Sequence, residues 1–190
     1  MLPMEEKLDP RVKRTRNLIL QSFSDLLAEK SFDSITVLDV TERAQINRAT
    51  FYKNHFVDKY ALLDYWVQQG FRHEIEAHML DACHYTPDNL RILLLTVCEF
   101  LSKVRTDCMQ SQRQFEPMIE KQVKNQIYEL LNIWLGKMNS SISTEIPATV
   151  AAWAIYGLAS HYSHAKKRPA LEAFVEEALP LVAVNLEQFA

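Results

Sequence analysis

Apolar residues recur at intervals of three and four positions along most of the chain, which is the spacing of amphipathic helices. The first such stripe, on a helix expected between about 10 and 30, consists of Ile19, Phe23, Leu26 and Leu27. Longer stripes predict five further helices, between about 59 and 80, 87 and 106, 115 and 136, 150 and 165, and 171 and 186. The sequence contains 3 Gly and no Asn-Gly or Asp-Gly hairpin signal. The pattern therefore predicts an all-α protein.

Two shorter helices are predicted between the first stripe and the long helices, and both carry the same start signal. An apolar residue, a polar cap and a second apolar residue occur in the same order twice, as Ile35, Thr36 and Val40 and again as Ile46, Asn47 and Phe51. The side chain of the cap accepts a hydrogen bond from a backbone amide of the first turn, and the two apolar residues pack across it. Two short helices joined at Gln45 and Ile46 indicate a helix-turn-helix.

The second short helix is the candidate for reading a groove of DNA. Phe51 is expected to pack against the rest of the domain, because a helix of this length is not stable alone. The remaining positions have little apolar packing to do: Arg48, Ala49, Thr50, Tyr52 and Lys53. Since the second helix of a helix-turn-helix enters the major groove, we expect these side chains to face DNA.

The overall charge does not by itself indicate nucleic-acid binding. The chain has a net charge of -3 and a pI near 6.1, whereas DNA-binding domains usually have a basic surface. Basic residues nevertheless cluster at the start of the first helix and around the predicted turn: Arg11, Lys13, Arg14, Arg16, Arg43, Arg48, Lys53 and Lys59. This local basic surface on an acidic protein is suited to phosphate contacts.

Cysteine usage and motif searches narrow the class of protein. Cys83, Cys98 and Cys108 are widely spaced and odd in number, which favours free thiols in a reducing cytosol. No signal peptide and no apolar run of membrane-spanning length occurs, so a cytoplasmic location is expected. His73 and His78 lie five positions apart, not the four of a zinc-protease helix, and no phosphate-binding loop or nucleophile elbow occurs. We therefore expect no metal, no cofactor and no enzymatic activity.

The chain is predicted to form two domains, a helix-turn-helix domain with an N-terminal arm over 1–56 and a helical domain over 57–190. Its penultimate helix is apolar nearly all round, which is typical of a helix buried on both sides. The last two helices therefore have the spare apolar surface that a dimer interface built as a four-helix bundle requires. The residues expected in this interface are Trp153, Ala154, Gly157, Leu158, His161, Phe174, Ala178 and Val182.

The stretch from Arg11 to Leu63 resembles the TetR family of one-component transcriptional regulators. The resemblance is carried by Thr36, Thr41-Glu42-Arg43-Ala44, Asn47-Arg48-Ala49-Thr50-Phe51-Tyr52 and Asp58-Lys59-Tyr60-Ala61-Leu62-Leu63. It implies a homodimer that places two recognition helices in successive major grooves of a pseudo-palindromic DNA operator. It also implies a small-molecule effector in the second domain that alters DNA affinity, most simply that of a repressor.

The resemblance also implies roles for individual residues. Arg48 is the expected base contact, because a guanidinium offers a bidentate fork to guanine. Phosphate contacts, which fix the register without reading sequence, are expected from Thr36, Thr50, Tyr52 and Lys59. Asn47, Ala49, Lys53 and His55 complete the set expected at the DNA. For Tyr52 the alternative is packing against Phe56.

Two positions depart from the family pattern. Gln45 stands where the family usually has glycine, and this counts against a tight left-handed turn, because glutamine tolerates a positive φ poorly. Lys53, Asn54 and His55 separate Tyr52 from Phe56, where the family commonly has two residues. The extra residue is expected to lengthen or bulge the end of the recognition helix.

The second domain offers a candidate ligand pocket between its middle helices. Its expected lining is Cys98, Phe100, Phe115, Met118, Tyr128 and Trp134, although apolar and aromatic stripes of this kind ordinarily form core. The principal alternative function is a helical dimer that keeps the fold and acts as a protein-interaction or ligand-sequestering module. Operator binding distinguishes the two functions.

Overall fold

The computed structural model describes residues 9–78, 84–107, 112–138 and 143–187. Within these ranges the chain is entirely helical, which confirms the predicted fold class. Its helices are α1 (Pro10–Glu29), α2 (Val37–Arg43), α3 (Arg48–Asn54), α4 (Lys59–His78), α5 (Pro87–Asp107), α6 (Gln112–Met138), α7 (Glu145–His164) and α8 (Leu171–Glu187). A single 3₁₀ turn, Phe32–Ser34, precedes α2. None of the described helices has a long enough apolar stretch to cross a membrane.

Helices α1, α2 and α3 form the N-terminal head. Asp9 caps α1 by accepting a hydrogen bond from the backbone amide of Arg11 (2.8 Å), and Pro10 occupies the first helical position. The apolar faces of the three helices meet around Phe23, Phe32 and Phe51, all completely buried. The expected arm over residues 1–8 lies outside the described residues.

Helix α4 leads from the head into the second domain, and its buried face is apolar throughout. Leu62, Leu63, Val67, Phe71 and Ile75 place one residue on this face at every turn. The buried core is therefore continuous from the head into the second domain. The domain boundary after residue 56 stays a prediction.

Helices α5 to α8 form a bundle in which α7 lies between its neighbours. Helix α7 packs against α5, α6 and α8. Small residues, Ala148, Ala151, Ala152 and Ala159, form much of its buried surface and let the neighbouring helices approach closely. Helix α6 continues to Met138, two residues past Gly136, the glycine expected to end it.

Two buried glutamines of α6 connect it to α4. The Nε2 atom of Gln122 donates to Oδ1 of Asp64 at 2.7 Å, and Nε2 of Gln126 donates to the carbonyl oxygen of Gln68 at 3.2 Å. Both pairs rise by four residues along each helix, so α4 and α6 run parallel and form one bond per turn. This pair of bonds connects the helix leading to the head with the bundle.

Candidate nucleic-acid interface

The N-terminus of α2 is closed by a full capping box. Thr36 Oγ1 accepts a hydrogen bond from the Asp39 amide (3.1 Å), and Asp39 Oδ2 accepts one from the Thr36 amide (2.7 Å). These hydrogen bonds from Thr36, with the ammonium group of Lys30 at 3.0 Å from the carboxylate, lower the pKa of Asp39 to about 2. The Thr36 hydroxyl also donates to Asp39 at 2.7 Å, so it serves first as a helix cap.

The turn between α2 and α3 is left-handed at Gln45, where φ is 53°. The backbone amide of Ile46 donates to the carbonyl oxygen of Thr41 at 3.0 Å, and half-buried Ile46 fills the space between the two helices. The expectation that glutamine counts against such a turn was wrong. The closing hydrogen bond and the packing of Ile46 offset the steric cost of a side chain at positive φ.

Helix α3 begins at Asn47, whose Oδ1 accepts a hydrogen bond from the Ala49 amide at 2.7 Å. This hydrogen bond confirms the prediction that Asn47 caps α3. Phe51 is buried in the head, whereas Arg48, Ala49, Tyr52 and Lys53 are exposed and Thr50 is half-buried. The helix thus presents its outer face to solvent while one aromatic residue anchors it.

Arg48 and Tyr52 form a pair on this outer face. Nη2 of Arg48 donates to the Tyr52 hydroxyl at 3.3 Å, and the guanidinium carbon lies 5.5 Å from the centroid of the ring. The Tyr52 ring packs edge-on against Phe51, with 5.4 Å between centroids. Packing of Tyr52 against Phe56 was the alternative considered from the sequence, but the rings found against Phe56 are those of Tyr65, Phe51 and His55, at 5.5, 5.7 and 6.4 Å between centroids.

The extra residue before Phe56 is absorbed in the last turn of α3. The amides of His55 and Phe56 both donate to the carbonyl oxygen of Phe51, at 3.1 and 3.0 Å, so the chain leaves the helix at His55. His55 is half-buried and its Nδ1 atom is enclosed without a hydrogen-bond partner. Burial and the nearby charge of Arg16 lower the pKa of His55. A contact between His55 and DNA stays a prediction.

The ammonium group of Lys59 points into the head. Nζ donates to the carbonyl oxygens of Phe32, Asp33 and Ile35 at 3.1, 3.3 and 3.0 Å and lies 4.4 Å from the Phe32 ring centroid. These carbonyls belong to the 3₁₀ turn and its end. Lys59 therefore stabilises the C-terminal end of this turn, and its contact with phosphate stays a prediction.

The basic surface is smaller than the sequence indicates. Nη1 and Nη2 of Arg43 donate to the carboxylate of Glu29, at 2.7 and 2.6 Å. These bonds raise the pKa of Arg43, and the negative carboxylate offsets its positive charge. Arg16 lies over the ring of Tyr65, at 5.2 Å. Apart from Arg43, the exposed basic side chains of the head are Arg11, Lys13, Arg14, Arg48 and Lys53.

The residues expected to line one ligand pocket occupy different surroundings. Cys98, Phe100 and Trp134 are buried in the core, where burial raises the pKa of the Cys98 thiol to about 12. Met118 is partly buried against this core, and Tyr128 lines an open groove beside Trp153. The Phe115 side chain lies outside the described residues. Cys98, Phe100 and Trp134 therefore form core and do not line a pocket, which corrects the expected pocket lining for these three residues.

A cavity of about 380 Å³ lies instead among α5, α6 and α7. Its apolar side consists of Leu101, Val104 and Ile119, and its polar side is formed by Arg105, Glu116, Tyr156, Ser160, Ser163 and His164. His164 Nε2 lies 3.4 Å from Glu116 Oε1. Sequence reasoning missed this site, because its polar residues come from three helices and share no motif. Within the ranges the structure describes, no group of three His, Cys, Asp or Glu side chains is placed to hold a metal ion.

The expected dimer residues divide into exposed and buried sets. Trp153, Gly157 and His161 are exposed, and Ala154, Leu158 and Phe174 are half-buried. Ala178 and Val182 are buried within the protomer, 3% and 0% exposed, and this corrects their assignment to the interface. The exposed apolar residues of the same surface that the sequence did not single out are Ile146, Val150, Leu181 and Val184.

The capped helix pair, the anchored Phe51 and the exposed polar face of α3 define a helix-turn-helix DNA-binding head. Residues 19–65 match the family model of bacterial regulatory proteins of the tetR family. The head therefore has the fold and the sequence pattern of the DNA-binding domain of bacterial regulatory proteins of the tetR family.

The similar proteins agree with this assignment. The chain is 42% identical over 67 residues to the HTH-type transcriptional regulator YxbF of Bacillus subtilis, and these cover 35% of the chain and 17% of YxbF. It is 48% identical over 44 residues to the regulator YdeS of the same organism, covering 23% of the chain and 22% of YdeS. The chain thus spans about a fifth of the length of these curated relatives.

The whole fold also has counterparts among solved structures. A TetR-family regulator of Streptomyces coelicolor is similar over 96% of this chain and 99% of its own, with a TM-score of 0.63 and 16% sequence identity. At this identity the likeness establishes the fold alone.

Proposed function

We propose that the protein is a dimeric, effector-responsive transcriptional regulator that acts as a repressor. The observation that carries the proposal is the division of α3 into a buried anchor, Phe51, and an exposed face that includes Arg48 and Tyr52. A helix held in this way can enter the major groove without unfolding the head, and its N-terminal residues then lie nearest to the base edges.

Side-chain chemistry determines which residues we assign to bases and which to phosphates. Arg48, in the first turn of α3, supplies the fork that matches the O6 and N7 atoms of guanine. Lys53, Thr50 and the exposed basic residues near the start of α1 contact phosphates. Because the chain carries a net charge of -3, this local surface must supply most of the attraction to DNA.

Dimerisation is supported by an exposed apolar surface on α7 and α8. Ile146 and Trp153 are 73% and 63% exposed, and Leu181 and Val184 are each 64% exposed. On α7 these positions and Gly157 fall on one face with the spacing i, i+7 and i+11. Two copies of this surface related by a twofold axis would form a four-helix bundle and bring two heads together.

The effector site is proposed to be the cavity among α5, α6 and α7. Glu116 and Ile119 of α6 contribute to its lining, and the same helix is hydrogen-bonded to α4 through Gln122 and Gln126. A ligand that favours one position of α6 would therefore favour one position of α4 and of the head. DNA affinity changes only in proportion to the difference in ligand affinity between these two states.

A gel-shift assay tests the proposed function with the full-length chain and duplex DNA from upstream of its own gene. We expect a retarded complex containing two protomers, which weakens steeply as salt is raised because phosphate-bound counterions are released on binding. Arg48→Ala should weaken this complex by at least about tenfold. Lys121→Ala removes an exposed positive charge from α6 and serves as the control.

The proposal is contradicted if no duplex selected from a random library is bound specifically, and this result would favour the alternative of an interaction or ligand-sequestering module. Equal affinity for Arg48→Ala and the unchanged protein would contradict only the role proposed for Arg48. A reporter gene placed behind the bound DNA determines whether binding represses.

A further inference from the structure

On the outer face of α3, the guanidinium of Arg48 is held by the side chain of Tyr52. Arg48 and Tyr52 are one helical turn apart. Nη2 of Arg48 donates to the Tyr52 hydroxyl at 3.3 Å, and the guanidinium carbon lies over the ring, 5.5 Å from its centroid. Residues four apart on a helix are neighbours, so the pairing needs no distortion of the backbone.

The Tyr52 ring is itself held in place. It packs edge-on against Phe51, with an interplanar angle of 83°, and Phe51 is completely buried. Edge-to-face contacts of this kind are favourable in addition to the area they bury. The buried ring of Phe51 therefore restrains the ring of Tyr52, and Tyr52 in turn restrains the guanidinium of Arg48.

The other arginine at the turn is in a different situation. Arg43 is neutralised by the carboxylate of Glu29 through two short hydrogen bonds. Across the part of the chain that the structure describes, the contacts found for Arg48 are both to Tyr52, a neutral group. Arg48 is thus oriented while it keeps its full positive charge for another acceptor.

Orientation matters because an arginine reads guanine with two parallel hydrogen bonds in one plane. A long side chain loses rotamer freedom when it adopts that geometry, and the loss is smaller when the free protein already restricts it. We propose that Tyr52 is a positioning residue that holds the Arg48 guanidinium for a single base pair and so sets sequence specificity. This proposal rests on the proposed DNA-binding function and adds a specificity determinant to it.

A phosphate contact by Tyr52 is the competing role. The hydroxyl that accepts from Arg48 still has its own hydrogen to donate. The two roles differ in what they change, because a phosphate contact contributes equally to every sequence, whereas positioning of Arg48 contributes only where its base pair is correct.

The experiment begins with the full-length protein and a library of randomised duplexes, from which the preferred sequence is selected. Arg48→Ala then identifies the base pair at which preference is lost, with a loss of about tenfold. Affinities of Tyr52→Phe and Tyr52→Leu are measured on the preferred duplex and on a duplex changed at that pair. We expect the ratio of the two affinities to fall severalfold for Tyr52→Phe and further for Tyr52→Leu. In the Arg48→Ala background, Tyr52→Leu should leave the ratio unchanged.

Tyr60→Phe is the matched control, since Tyr60 is another exposed tyrosine, at the start of α4, whose ring packs against Phe32 of the head at 5.4 Å. It should leave the ratio unchanged. The ratio does not depend on how much of a variant is folded, so partial unfolding of Tyr52→Leu does not imitate the expected result.

The inference is overturned if both Tyr52 variants weaken the two duplexes equally, as loss of a phosphate contact would. It is also overturned, with the proposed function intact, if the protein selects a sequence but Arg48→Ala changes no base preference. Failure of the unchanged protein to bind any duplex would overturn the proposed function and this inference together.

Discussion

The side-chain amide of Gln122 on α6 donates a hydrogen bond to the carboxylate of Asp64 on α4, with 2.7 Å between Nε2 and Oδ1. Gln122 is 9% exposed, so water cannot easily replace its partner. Together with the bond from Gln126 to the backbone of α4, this contact lets the bundle restrain the helix that leads to the head.

Gln122→Ala should therefore lower the free energy of unfolding by about 1 kcal/mol, because it leaves the Asp64 carboxylate without this donor. Urea unfolding at neutral pH checks the value. Gln21→Ala, which removes an exposed glutamine that donates to Asp25 within α1, is the control and should change stability by less than about 0.5 kcal/mol. Equal losses of unfolding free energy for the two variants would contradict a stabilising role of the buried α4–α6 hydrogen bond.

The left-handed turn at Gln45 predicts a substitution that stabilises the protein. Glycine adopts a φ of 53° without the steric cost that a side chain incurs, although it also increases the freedom of the unfolded chain. Gln45→Gly should raise the free energy of unfolding by about 0.5 to 1 kcal/mol, whereas Gln45→Val should lower it. Denaturant midpoints provide the measurement, and a loss of stability in Gln45→Gly would contradict a left-handed turn.

The capping box predicts a pH dependence. Hydrogen bonds from Thr36 lower the pKa of Asp39 from 3.8 to about 2, so the folded state favours the ionised carboxylate. The resulting stabilisation is complete above about pH 4 and is lost as the pH falls toward 2. The stability difference between the unchanged protein and Asp39→Ala should therefore be constant from pH 7 to about 4 and shrink below that. A difference that grows on acidification would have the wrong sign for this cap.

The apolar surface of α7 and α8 predicts the effect of a buried charge on oligomeric state. Leu181→Asp places a carboxylate at a position that is 64% exposed in the protomer but covered in the proposed dimer. Sedimentation equilibrium should show a monomer, because an unpaired charge is costly to bury. Leu18→Asp is the control, since Leu18 is 47% exposed on α1 and should leave the dimer intact. A Leu181→Asp dimer of unchanged affinity would place the interface elsewhere.

Local signals in the sequence located most of the helices and the helix-turn-helix. The cap at Thr36, the cap at Asn47 and the anchor Phe51 were all readable, because capping and staple patterns depend on residues only a few positions apart. Family resemblance added the orientation of α3 toward DNA, which no periodicity specifies.

Contacts between distant residues could not be predicted in the same way. The engagement of Lys59 with carbonyls more than 20 positions away, and of Arg43 with Glu29, depends on how helices pack, so charge counting overestimated the basic surface. The same reason explains why Val182 was assigned to the interface and Leu181 was not. Both lie on an apolar helix, and only the packing of α8 distinguishes its inner from its outer face.

The most direct test of the central claim is protection of guanine N7 atoms from dimethyl sulfate, since these atoms lie in the major groove. With the unchanged protein bound to its selected duplex, we predict two protected clusters about one helical turn, or roughly 10 base pairs, apart, one for each α3 of a dimer. Arg48→Ala, at a concentration that restores occupancy, should lose protection of one guanine in each cluster. A single cluster, or unchanged protection by Arg48→Ala, would contradict the account.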